Sequence, residues 1–385
     1  MDKPCPSSGA VAGAGVVTTY YADDSCAART LALANMAWRL SGAAIPGPRA
    51  GVPVLMIDWN LAAPGLHHLF GGAGTRPGLL EFFTACRAQL AALAHGNTAA
   101  DSDELARQVL AAVDWRAYIE PAAAGRPLYL MRAGRVDTSF GARAAQLDWH
   151  ALFQACPALL RQWRAQMAQA FRHVLIDAPG ARSAAVSVCT SLLPDRIVGL
   201  FTPAQSSLDA LCGVMRRAIA YRCSHEEEQR PLLLYPLPCA PAGADRAALA
   251  AWRHGARGAA GYQAVLEQLM QEIYGRTQLA LDSYCDHVLL APADEGHGTG
   301  AGPALQALLD WAGEGHFPWQ TRAELSALHT HASESLPGGP AGPHRPRDEA
   351  GLRHGQARFG AVQPHGGRDV RRGGSVLRHG MATLP

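Results

Sequence analysis

The chain of 385 residues has almost no lysine: Lys3 is the only one, so the other 33 of its 34 cationic side chains are arginine. A mechanism that needs a buried or phosphate-gripping lysine has nothing to draw on within a fold. Alanine, arginine, glycine and proline are raised together, as GC-rich coding produces. Paired cysteines are missing too. The nine cysteines, at 5, 26, 86, 156, 189, 212, 223, 239 and 285, are odd in number and contain no Cys-x-x-Cys pair or zinc-type Cys/His spacing. That pattern excludes a disulfide framework and a zinc ribbon and reads as reduced, mostly buried thiols of a cytosolic protein. The pairs Cys223/His225 and His67/His68 have no companions at ligand spacing and read as structural. There is no run of about 18 apolar residues to span a bilayer. The first fifteen residues lack the Leu/Ile/Val core of a signal peptide, and residues 336–385 show no apolar stripe of a membrane-binding amphipathic helix, so no membrane binding is expected.

What the chain does contain is ordinary for a globular protein: 48% hydrophobic residues, 17% charged residues and a net charge of +2. The charge is uneven. Residues 336–385 hold eight arginines against Asp348, Glu349 and Asp369, so this segment is basic and the rest slightly acidic. The segment is rich in Gly, Pro and His and too poor in apolar residues to offset its ordering entropy, and is expected to be disordered. With Phe359 as its one aromatic residue and no repeated Arg-Gly-Gly unit, it is a poor nucleic-acid binder. A solvated tail, or an out-of-frame translation, accounts for it more simply.

Short β-branched runs alternate with helical periodicity through the body. Val16–Tyr21, Val52–Asp58, Pro127–Met131, His173–Asp177, Arg196–Phe201, Leu232–Tyr235 and His287–Leu290 read as strands. Thr30–Leu40, Pro77–Ala94, Ser102–Val113, Trp149–Ala170, Ser206–Tyr221 and Arg246–Tyr274 read as helices. Continuous apolar strands joined by helices predict a doubly wound α/β fold with a mostly parallel sheet covered on both faces. Ligands of such sheets bind at the carboxyl ends of the strands.

Two aspartates, Asp58 and Asp177, close apolar strands at that edge. Strand-end carboxylates beside a loop-to-helix turn can hold magnesium or position an attacking water in phosphate-binding α/β proteins. Asp177-Ala-Pro-Gly180 adds a glycine that lets the backbone approach a phosphate. A strand-end aspartate also serves as a plain turn or cap residue. The glycines near Gly71 and Gly74 have no preceding strand and no lysine after them, so they read as a loop. Glu226 to Glu228 read as a solvated acidic loop, and Ser183 and Ser187 lie on no nucleophile elbow.

Tyr20 to Leu40 (YYADDSCAARTLALANMAWRL) with Val54 to Phe70 (VLMIDWNLAAPGLHHLF) resembles the MinD/ParA class of deviant Walker A ATPases. It is most similar to a branch whose loop reads Lys-Gly-Gly-Val-Gly-Arg-Thr and whose second strand ends Asp-Trp-Asp-Leu-Glu-Ala-Pro-Gly-Leu. The likeness continues through HVLIDAPG and LLPDRIVGLFTPAQSSLDAL, and covers about residues 16 to 290. It implies a P-loop NTPase fold in a bacterial protein, with ATP and magnesium as ligands. By position it implies nucleotide contacts at Ser25, Ala28, Arg29, Thr30 and Gly180, metal contacts at Thr30 and Asp177, and catalytic roles for Asp58 and Asp177. Arg29 would grip phosphate oxygens.

The loop departs from this pattern at its centre. The family's first lysine falls on Asp24, its glycines on Ser25, Cys26 and Ala28, and its valine on Ala27. A carboxylate in place of that lysine turns attraction for phosphate into repulsion, worth ~4 kcal/mol per charge pair at ~4 Å and an effective dielectric of ~20. Side chains at the glycine positions obstruct a loop whose backbone amides must turn inward around phosphate. The family's second aspartate falls on Asn60 and its glutamate on Ala62.

The sequence therefore predicts a flexible N-terminus (1–15), a MinD/ParA-like domain (16–290), a helical extension (291–335) and a disordered tail (336–385). The preferred function is a degenerate, hydrolysis-deficient regulatory or partner-binding protein of the cytoplasm, with nucleotide binding weakened or lost. Its partner is unidentified and a homodimer is left open. An active ATPase switch using Arg29, Thr30, Asp58 and Asp177 is the alternative, and nucleic-acid binding through the tail a second. A tyrosine-kinase variant of the fold is disfavoured, because no tyrosine follows Tyr284.

Overall fold

The computed structural model describes residues 15–23, 28–42, 52–71, 75–94, 101–180, 183–256, 258–291, 302–313 and 315–325. The expectations for the N-terminus, for the loop residues Asp24, Ser25, Cys26 and Ala27, for Gly72 and Gly74, and for the tail 336–385 lie outside the described residues, apart from Gly15.

Seven strands form one sheet in the order β3-β4-β2-β5-β1-β6-β7. They are β1 (Val16–Tyr21), β2 (Val54–Asp58), β3 (Glu120–Pro121), β4 (Leu128–Met131), β5 (His173–Asp177), β6 (Arg196–Phe201) and β7 (Leu233–Pro238). All pairings are parallel except that of the short edge strand β3 with β4. Consecutive residues of β2, from Val54 to Asp58, are all buried, so helices cover both faces and no polar/apolar alternation is needed. From β1 the chain steps to one side through β2 and β4, returns to β5, then continues on the other side of β1 through β6 and β7. The reversal lies between β2 and β1, where sheets of this kind open a crevice at their carboxyl edge.

The helices are α1 (Arg29–Gly42), α2 (Leu66–Leu69), α3 (Leu79–Ala94), α4 (Ser102–Ala112), α5 (Phe140–Ala145), α6 (Trp149–Ala155), α7 (Ala158–Ala170), α8 (Ala184–Ser187), α9 (Gln205–Ser224), α10 (Arg246–His254), α11 (Tyr262–Tyr274), α12 (Asp282–Cys285) and α13 (Pro303–Ala312). α8 runs on into a π-helical turn, Val188–Leu192, whose Cys189 carbonyl accepts the Thr19 hydroxyl at 2.5 Å. β6 and α9 approach closely because Gly199 has no side chain: a Cβ there would lie 2.4 Å from Leu211.

Three expectations change. The helix expected over Trp149–Ala170 is two helices, because Pro157 has no amide to donate and disfavours helical backbone at Cys156, which is non-helical at φ −156°, ψ 86°. The one expected over Arg246–Tyr274 is interrupted by a hairpin of β8 (Gly255–Ala256) and β9 (Ala259–Ala260). Gly255 there has φ +90°, and a Cβ on it would lie 2.2 Å from the Ala259 carbonyl oxygen. His287–Leu290 contributes a single parallel bridge, Leu290 to Cys239, instead of a strand.

α13, within the expected extension, packs against α1 and β7. Its Leu305, Leu308 and Trp311 are buried in the same hydrophobic cluster as the sheet. Trp311 meets Tyr284 edge-on at 5.3 Å.

Candidate site at the carboxyl edge of the sheet

The register of the sheet sets Asp58 beside Asp177, as neighbours on β2 and β5, and Tyr20 of β1 on the other side of Asp177. Parallel strands lie about 4.8 Å apart, so the two carboxylates leave the sheet side by side. Both residues are 0% exposed. The amide of Trp59 donates to the Asp177 carbonyl at 3.1 Å and carries the ladder one residue further.

The start of α1 closes over Asp177. Arg29 Nε donates to Asp177 Oδ1 at 2.5 Å and Thr30 Oγ1 donates to Oδ2 at 2.7 Å. Arg29 itself is only 7% exposed. No acidic residue occupies the first turn of α1, so Asp177 supplies from β5 the negative charge that a helix N-terminus favours. Ala28, in the turn just before α1, is buried, and its carbonyl accepts the Ala32 amide at 2.8 Å.

Asp58 is satisfied differently. Its Oδ1 accepts the Asn60 amide at 3.2 Å, and its Oδ2 accepts the amides of Gly65 and Leu66 at 3.0 and 3.1 Å. The carboxylate therefore ties down its own following loop and caps α2. Burial, with the negative charge of Asp177 second, pushes the Asp58 carboxyl up to about 7, while the three amides pull the other way. Burial also raises Asp177, opposed by Arg29 and Thr30. Because the guanidinium faces Asp177 and only backbone amides face Asp58, Asp58 is the carboxyl that takes up a proton first.

The loop after β2 is anchored by Trp59, fully buried and stacked on Trp149 at 5.0 Å, with Phe83 edge-on at 5.6 Å. Asn60 forms a local turn, its Oδ1 accepting the Ala63 amide at 3.3 Å. Gly65 lies against α1: a Cβ on it would be 3.5 Å from Thr30 Cγ2. Further along the edge, Arg132 pairs with Glu120, which Arg76 also meets at 3.4 Å. His67, on α2, lies against His68 with ring centroids 3.9 Å apart and planes tilted by 39°, and burial, His68 and Arg132 all lower its pKa. Asp23 accepts the Ser207 hydroxyl at 2.8 Å, linking the end of β1 to α9.

Of the residues expected at the site, Arg29, Thr30, Asp58 and Asp177 come together, with Ala28 at the same helix start. Gly180 is half-buried three residues beyond Asp177, and Ser25 lies outside the described residues. Sequence reasoning misses the amides of Asn60, Gly65 and Leu66 as partners of Asp58. Pro64-Gly65 before α2 marks a turn, but nothing local to it points to an acceptor seven residues upstream. Among the described residues no group of three or more His, Cys, Asp or Glu could hold a metal ion. The described cysteines are free thiols, buried except Cys223, and no described helix is long and apolar enough to cross a membrane.

No family model matches the chain, and no curated protein does. Solved structures with similarity include an ATP complex of a Cyanothece McdA variant, 13% identical, covering 78% of this chain and 98% of that one with a TM-score of 0.45. Another is the septum site-determining protein MinD complexed with Mg-ADP from Pyrococcus horikoshii OT3, 12% identical, with 77% and 95% covered and a TM-score of 0.42. A plasmid partition protein from Borrelia burgdorferi is 12% identical, with 79% and 100% covered and a TM-score of 0.44. At these identities the likeness concerns the fold alone.

Proposed function

We propose that the chain is a MinD/ParA-like protein that has kept the fold and lost efficient nucleotide hydrolysis, and that it acts in the cytoplasm by occupying the surface of a protein partner. One observation carries the reading: both oxygens of Asp58 are engaged by the backbone amides of its own loop. A carboxylate that positions an attacking water needs acceptor capacity aimed at it, and here three backbone amides draw on that capacity. Asp58 instead works as a cap. Its raised pKa further reduces its charge near neutral pH. The loop composition points the same way, with Asp24, Ser25, Cys26 and Ala28 where the family pattern has its lysine and glycines.

The reading is tested by phosphate release from MgATP across protein concentrations from well below to well above micromolar. Release at the level of an Asp58→Ala control is expected. Release that rises with protein concentration and disappears in Asp58→Ala overturns the reading. It would install the alternative, an ATP- and magnesium-dependent switch using Arg29, Thr30, Asp58 and Asp177, which the gathering of these four residues at one edge favours. Nucleic-acid binding through residues 336–385 predicts a salt-sensitive gel shift of the full chain, and our reading predicts none.

A further inference from the structure

The MinD/ParA pattern brings magnesium to the positions of Thr30 and Asp177, and the side chains around them do not fit it. Magnesium needs oxygen ligands at about 2.0–2.1 Å in near-octahedral array. Each Asp177 oxygen already accepts from a side chain of α1, Oδ1 from the Arg29 guanidinium at 2.5 Å and Oδ2 from the Thr30 hydroxyl at 2.7 Å, so a metal ion there would compete with both. A metal ion at Asp177 would also meet a like charge, the buried guanidinium of Arg29, already in contact with the same carboxylate. Asp58, the other carboxylate within reach, is committed to three amides.

We infer that the Arg29 guanidinium is the resident cation of this site, and that Arg29, Thr30 and Asp177 form a metal-independent clasp fastening the start of α1 to the end of β5. The inference deepens the proposed function and rests on it for the location of the site. Two features of the geometry support it. Arg29 and Thr30 are consecutive and open α1, so one aspartate accepts from both side chains and holds the start of the helix. The loop after β2 lies next to this clasp, since a Cβ on Gly65 would fall 3.5 Å from Thr30 Cγ2. The positions that would chelate a metal are thereby spent on joining two segments of the carboxyl edge, the start of α1 and the end of β5. Removing the guanidinium leaves Asp177 a buried carboxylate with no cation beside it, in register with Asp58 on the adjacent strand. That arrangement calls for an external one.

The test uses the full chain and manganese or magnesium ions alone, without nucleotide. For the wild type, millimolar MnCl2 or MgCl2 is expected to leave the melting temperature where an ionic-strength control leaves it, and manganese EPR to show only free ion. Arg29→Ala is expected to melt lower, to regain several degrees with manganese, and to bind the ion at least about tenfold more tightly than the wild type. Adding Asp177→Asn to it should abolish the regain. Specific manganese binding by the wild type, or an Arg29→Ala protein that folds but gains no affinity, overturns the inference. If Arg29→Ala does not fold, Arg29→Met/Asp177→Asn replaces the ion pair by neutral side chains. A clasp that is only a charge pair predicts a folded, manganese-indifferent protein, whereas manganese binding by this variant refutes it. Manganese bound by a wild type that releases no phosphate defeats this inference and leaves the proposed function standing. Phosphate release by a wild type whose manganese EPR without nucleotide stays free does the reverse.

Discussion

Replacing Asp58 by asparagine removes the cost of burying a carboxyl, with a second one beside it, at the edge of the sheet. Asp58 is fully buried, and its carboxyl moves from an ordinary 3.8 to about 7. A folded-state pKa above the unfolded one means that the native protein binds the proton more tightly. This group's contribution to stability is therefore full below about pH 4 and is lost as pH rises through about 7. Three units at ~1.4 kcal/mol each give ~4 kcal/mol in all, of which ~3 kcal/mol falls between about pH 5 and pH 8. Asparagine can put its carbonyl where Oδ2 accepts the Gly65 and Leu66 amides, while its amino group confronts the Asn60 amide. One lost hydrogen bond costs about 1 kcal/mol. The variant should thus be close to the wild type near pH 5 and ~2–3 kcal/mol more stable near pH 8, by urea unfolding at each pH. The difference between the two proteins is the quantity to read. His173, lowered to about 4 chiefly by burial, contributes the opposite slope to both and cancels. A difference that stays constant across this range would refute the reasoning that Asp58 carries the proton.

Two further predictions concern packing. Trp311→Ala should destabilise the protein by about 3–5 kcal/mol in urea unfolding, because this indole is fully buried in the common core; an effect below about 1 kcal/mol would mean that α13 does not belong to the folding unit. Gly199→Val should cost about 1–3 kcal/mol or more, since its Cβ would fall 2.4 Å from Leu211, and Leu211→Ala in the same chain should recover part of that loss in a double-mutant cycle.

The strands are the legible part of the fold. β1, β5 and β6 have the ends that β-branched and apolar runs mark, because strands buried on both faces need an unbroken apolar stretch and stop where it stops. Helix breaks are less legible. Apolar spacing runs through Pro157 and through Gly255, Gly258 and Gly261, and periodicity does not register the missing amide at the first or the left-handed backbone at Gly255 and Gly258. At the site, strand-end position singles out Asp58 and Asp177, and the family resemblance adds Arg29 and Thr30. What they touch is not legible. Arg29 meets a residue 148 positions away, and only the register of β1, β2 and β5 decides that its guanidinium finds a carboxylate. Nor does composition reveal the role of Asn60, which stands where the pattern has aspartate and closes a local turn.

The scarcity of lysine gains a structural counterpart here, since an arginine at the head of α1 is bound to a carboxylate of the same chain. The claim at the centre of this account is that the carboxyl edge is complete without nucleotide. Calorimetric titration of the full chain with MgATP, and separately with MgADP, tests it most directly. The account predicts no heat beyond dilution and no shift in melting temperature at millimolar nucleotide. A saturable isotherm with either ligand, weakened by Thr30→Ala, would contradict it.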